Sequence, residues 1–218
     1  MKSQKFFYYL SGIIVPVLFI AIVFLYLNNA DFYEHITRED RIIEWLTFLF
    51  LLISGILSFL AARRFLKKSN SMVPFFVIFG ILLILSAFEE ISWGQRLIDL
   101  ESPAFFMEHS DQREINLHNV LQKFIGLKTK HITAVILFIY GVCLPLIFKD
   151  QRINIFSGRF VVIIPPPILI ISFLLTTLLM FDFPTGQEEE YGEFLFSTSI
   201  LLFLLLEYFN IHKPVTKH

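Results

Sequence analysis

The stretch Glu89-Glu90-Ile91-Ser92-Trp93-Gly94-Gln95-Arg96 puts two carboxylates and a guanidinium at the end of an uncharged apolar run. Counted from Val73, Glu89 lies roughly 24 Å along a helix, about 5 Å short of the far hydrocarbon boundary. A charge at that depth is costly, so it should face other helices, pair, or bind something. On a continuous helix, Glu89, Trp93 and Arg96 share one face, and Glu90 points toward Gly94 and Leu97. The ordinary outcome is a Glu89–Arg96 ion pair with Trp93 as an interface anchor. That leaves Glu90 to be explained, because one guanidinium serves one carboxylate well. Gly94 would let a neighbouring helix or a ligand approach the backbone.

A second stretch, Asn116-Leu117-His118-Asn119, brings a histidine flanked by amides. Histidine shuttles protons or ligates metals near neutral pH, and neighbouring amides can fix its tautomer. Glu44 stands at the start of another apolar run, where the helix dipole alone favours a carboxylate. Glu188, Glu189, Glu190 and Glu193 have the same explanation, with an oxygen-ligand cation site as the alternative. Glu44, Glu89, Glu90, Arg96, His118 and Glu190 come from separate segments yet share one depth. Glu90, His118 and Glu44 would suit a divalent metal that activates water. Glu89, Glu90, Arg96 and His118 would equally suit metal-free acid–base catalysis, because crowding and partial burial raise carboxylate pKa values.

Glu89-Glu90-Ile91-Ser92-Trp93-Gly94-Gln95-Arg96, then Ser102-Pro103, then Asn116-Leu117-His118-Asn119 resembles the pattern E-E-x-S-W-G-Q-R, T-P or S-P, N-L-H-N of a group of bacterial multi-pass membrane proteins. The resemblance covers about a seventh of the chain. It adds weight to these positions and carries over no activity.

The elements that must position these groups are transmembrane helices. Of 218 residues, 56% are hydrophobic and 27 are Phe, too few polar groups to clothe a soluble core. Apolar blocks long enough to cross the hydrocarbon lie at 6–27, 42–62, 73–93, 132–148, 160–181 and 194–211. These predict an all-α, six-span bundle that forms a single membrane domain over 1–218. The first block follows Lys2 and Lys5 but is too long for a secretory h-region, and reads as a retained anchor. The one cysteine, Cys143, excludes a disulfide framework.

Lys2, Lys5, Arg63, Arg64, Lys67, Lys68, Lys149, Arg152, Arg159, Lys213 and Lys217 all fall in short segments on one side. The positive-inside rule makes that side cytoplasmic, with both termini, and places the protein in the plasma membrane. Apart from Asp150 and Glu207, the carboxylates then gather on or near the outer face. Pro165-Pro166-Pro167 cannot sit inside a regular helix. Either the fifth span starts near Pro167, or 160–164 is a separate segment. The long loop 94–131 carries two amphipathic pieces, one capped by Ser102 and one by Asn116, which would shelve the outer surface.

A net charge of −1 provides no field for nucleic acid. Three roles stay open: an outer-leaflet enzyme acting on a lipid or isoprenoid-linked substrate, with or without a metal; a non-catalytic sensor or assembly partner of another membrane protein; and a transporter. The last is disfavoured, because a permeation path needs polar groups at successive depths.

Overall fold

The computed structural model describes residues 2–38, 40–66, 70–110, 115, 116, 120, 123, 124, 128–148, 150–155, 158–181 and 185–209. His118 and much of the second amphipathic piece of the long loop lie outside the described residues, as do the side chain of Arg96 and the last residues expected of the sixth span.

The helices are α1 (Lys2–Asn28), α2 (Ala30–His35), α3 (Ile42–Phe65), α4 (Val73–Glu90), α5 (Ala104–His109), α6 (Thr129–Ile147), α7 (Ile170–Leu179) and α8 (Glu188–Tyr208). Five of them, α1, α3, α4 with the turn before it, α6 and α8, are long and apolar enough to cross a membrane. Helix α8 is the axis of the bundle. Of its most apolar stretch 72% is buried, against 11% for α1, which leaves most of its surface uncovered by the other helices.

Close approach between the long apolar helices is set by small residues. A Cβ on Gly55 of α3 would stand 2.5 Å from Ile84, and one on Gly80 of α4 would stand 3.2 Å from the Gly55 carbonyl oxygen. Ser58 adds a hydroxyl bond to the Phe76 carbonyl across the same seam, 2.7 Å. Gly141 of α6 receives the ring of Phe173 from α7, where a Cβ would meet Cγ at 2.1 Å. Around Gly141, α6 widens into a π turn over Ile139–Cys143. Pro145 follows it, has no N–H to donate, and so breaks the regular ladder there.

Two expectations need correction, the first being the all-α class. The block 160–181 divides at its prolines, as their chemistry required, but its first part is not helical. Phe160–Ile163 is a strand paired antiparallel with Arg152–Ile155 in the register Arg152↔Ile163, so the fold is not purely helical. The prolines then run extended into a 3-10 turn, Pro167–Leu169, and the helix proper begins at Ile170. Val161, Ile163 and Ile164 are buried, and the Tyr140 hydroxyl donates to the Ile163 carbonyl at 2.7 Å. This hairpin closes one end of the bundle. The second correction concerns 73–93. Helix α4 stops at Glu90, because Ser92, Trp93 and Gly94 take positive φ of 46°, 58° and 74°.

The end opposite the hairpin is tied by a polar lock. Glu188 is buried and accepts from the Thr185 hydroxyl at 2.7 Å, the Gly186 N–H at 2.8 Å and the Tyr33 hydroxyl at 3.1 Å. The Tyr191 ring lies tilted against Tyr33 with centroids 4.5 Å apart, and its hydroxyl donates to the Tyr33 carbonyl at 2.8 Å. Burial, and then the Glu188 charge, push the Tyr33 hydroxyl above its ordinary pKa. Helix α2 is thereby pinned to the start of α8.

Candidate functional site

At this polar end, α4 contributes Glu90 from its last residue, and α8 contributes Glu190 and Glu193 from its first turns. Glu190 and Glu193 are three apart and so share a face of α8. One carboxylate oxygen from each of the three residues lies within 4.8 Å of the others. All three side chains are half-buried. Like charges so close repel by several kcal/mol at the effective dielectric of a protein surface. Such a group is held together by protons, by cations, or by both. A protein cation stands beside it: Lys130 of α6, largely buried, bonds Glu189 through Nζ–Oε2 at 2.6 Å.

Oxygen-only donors in this number suit a hard divalent ion, calcium or magnesium, more than zinc. Such an ion would keep coordination positions open for water or for a substrate oxygen.

The motif around Glu90 is stitched to itself. The Trp93 indole N–H donates to Glu89 Oε1 at 2.7 Å, so these two meet although the helix between them has ended. Asn116 is buried and donates through Nδ2 to the Glu89 carbonyl oxygen at 3.2 Å, where α4 has an orphan acceptor. Gln95 accepts from the Ile115 N–H at 2.8 Å and donates to the Ser102 hydroxyl at 2.6 Å. The three pieces of the motif, around 89–96, 102 and 116, are thus one connected unit. Ser102 serves Gln95, and α5 begins after Pro103 with no side-chain cap. Gly94 is explained by its left-handed backbone and not by close approach. A Cβ there would meet nothing nearer than Leu97 at 3.9 Å.

The residues singled out from the sequence therefore separate. Glu90 joins a carboxylate group, whereas Glu89 turns to Trp93. Glu44 is buried and accepts from the Asp40 N–H, and it is not a member of the carboxylate group. The Arg96 side chain and His118 lie outside the described residues. Sequence reasoning grouped Glu193 with Glu188–Glu190 as dipole-favoured, a cation site being the alternative, and did not join it to Glu90; it passed over the Lys130–Glu189 pair. The available signal was the Glu190/Glu193 spacing of three, facing inward on a helix that is apolar all round.

Comparison with protein-family models, with curated proteins and with solved structures gives no match.

Proposed function

We propose that this chain is a multi-pass plasma-membrane protein, its termini cytoplasmic, that binds a divalent cation at Glu90, Glu190 and Glu193 and uses it on the headgroup of a lipid or isoprenoid-linked substrate. The observation that carries the reading is the meeting of three carboxylates from two distant helices within 4.8 Å. Six crossings are counted, the short α7 with the extended prolines before it making the fifth. The basic residues 63 and 64, set against the acidic residues 188–190 and 193, support an outward-facing site.

A cation held by these carboxylates supplies Lewis acidity toward a phosphate oxygen of the substrate. The chain's own residues do the rest. Glu90, Glu190 and Glu193 fix the ion, and the Gln95–Ser102–Ile115 stitching holds the loop over the end of α4. His118, two residues past Asn116, is the acid–base group proposed to stand beside the site.

The experiment is metal analysis of purified protein together with turnover of labelled phospholipid and isoprenyl phosphate. Wild type should bind one calcium, magnesium or manganese ion and consume one of these substrates. Glu90→Gln and Glu193→Gln should lose both properties while expression stays normal. A bound ion without turnover would make this a cation-dependent sensor or assembly partner. The absence of any stoichiometric ion would overturn the metal-assisted reading.

A further inference from the structure

A second feature at the same end has no part in the carboxylate site. Between α2 and the first turns of α3 lies a cavity of about 450 Å³. Phe32, Ile36, Trp45 and Leu46 line it with apolar surface, and the Arg41 guanidinium borders it with positive charge beside the His35 imidazole and the Asp40 carboxylate. Its volume falls in the range of small-ligand pockets, about 300–1,000 Å³. Its walls are held in place from outside. The Tyr33–Glu188 lock fixes α2, and the Ile43 N–H donates to the Ile36 carbonyl at 3.3 Å to close the turn between α2 and α3.

Arg41 precedes the apolar span of α3, which places its guanidinium at headgroup level while Trp45 and Leu46 stand one turn deeper. Arg41 is exposed, provides no side-chain cap to α3, and its side chain makes no hydrogen bond or ion pair with any described residue. Trp45 also opens an aromatic row. It meets Phe48 at 5.7 Å between centroids, Phe48 meets Phe88 at 6.1 Å, and Phe88 stacks on Trp93 at 5.6 Å.

We infer that the α2–α3 groove is a phospholipid site, with the phosphodiester on Arg41 and His35 and an acyl chain against Phe32, Ile36, Trp45 and Leu46. The argument is complementarity of both parts of the ligand. A guanidinium fork matches phosphate oxygens in a bidentate manner. The apolar lining continues from that cation in the direction that a chain takes into the bilayer. A fatty acid or a neutral lipid would satisfy one half only.

The test is native mass spectrometry of the full chain, released from detergent after incubation with phosphatidylethanolamine, phosphatidylglycerol or diacylglycerol. Wild type should keep one phospholipid and no diacylglycerol. Arg41→Gln should cut that retention about tenfold, the change expected for one lost charge-assisted contact. Trp45→Ala should cut it as well, by removing apolar contact and leaving the charge in place. Melting curves matching wild type certify each variant as folded. A benzophenone side chain placed at Phe32, with Arg41 intact, should cross-link to phospholipid and serves if either variant unfolds. Equal retention by wild type and Arg41→Gln, retention of diacylglycerol equal to that of phospholipid, or no cross-link from position 32 would each overturn the proposal and leave only annular lipid.

Discussion

A carboxylate oxygen of Glu90 stands within 4.8 Å of one on Glu193, although their helices, α4 and α8, each pack mainly on α3. Two helices gathered on a shared neighbour thus end in a contact that opposes them unless something compensates. Packing on α3 stabilises both, and the charge pairing does not.

Removing one of these charges should therefore stabilise the protein when no cation is present. In chelator, Glu193→Gln and Glu90→Gln should melt above wild type, because about 1 kcal/mol or more of repulsion is relieved. With divalent ion at a hundred times its Kd, wild type should gain about 2.7 kcal/mol and overtake both variants. Differential scanning fluorimetry with calcium, magnesium and manganese reads the crossover. Parallel responses of variants and wild type to every ion would sink the cation reading.

Much of this arrangement was legible in the chain because bilayer thickness fixes span length, and apolar blocks mark spans directly. Helix α3 starts at Ile42, as its block does, and α1 exceeds its block by a few residues at the amino end. The boundary at Trp93 was misplaced for a physical reason. A helix projection assumes continuity, and three consecutive positive φ values at 92–94 turn the chain out of it. Trp93 reaches Glu89 nonetheless, by a tight turn in place of a helical face. The strand at Phe160–Ile163 was hidden because a buried strand and a short buried helix share one apolar pattern. Only Pro165-Pro166-Pro167 hinted at it. The partnership of Glu90 with Glu193 needed three dimensions, since nothing local to either residue names the other.

The fit of Phe173 onto Gly141 yields a second prediction. Substituting alanine at 141 inserts a methyl where the ring already stands, so α6 and α7 must part or Phe173 must change rotamer. Gly141→Ala should cost about 1–3 kcal/mol. Phe173→Ala alone should also destabilise, by cavity formation. The double variant should recover part of the alanine penalty. Unfolding in mixed micelles measures each term, and strict additivity of the two would show that the ring and the glycine do not compete for space.

Sidedness is checked by cysteine accessibility in a Cys143→Ala background. Glu101 and Arg63 are both exposed and lie at opposite ends of the bundle. A cysteine in place of Glu101 should react with a membrane-impermeant maleimide in intact cells. One in place of Arg63 should react only after permeabilisation. Labelling of both from outside would remove the outward orientation, and with it the outer-leaflet substrate.

Buried Glu188 holds the loop before α8 through four donors, and alanine there would orphan them, at about 1–3 kcal/mol. The same lock predicts an alkaline transition. Burial first, and the Glu188 charge second, raise Tyr33 above its ordinary 10.0, so the folded state favours the neutral phenol. A raised folded pKa means that this contribution is fully present below pH 10.0 and is lost as pH climbs toward the higher folded value. Tyr33→Phe cannot titrate. At neutral pH the variant should be about 1 kcal/mol less stable, having lost one hydrogen bond to a carboxylate. Above pH 10.0 its melting temperature should fall less steeply than that of wild type, the other tyrosines titrating in both proteins and cancelling in the difference. Melting curves followed from neutral to strongly alkaline buffer decide the matter, and identical slopes would mean that the Tyr33 hydroxyl is not raised in the folded protein.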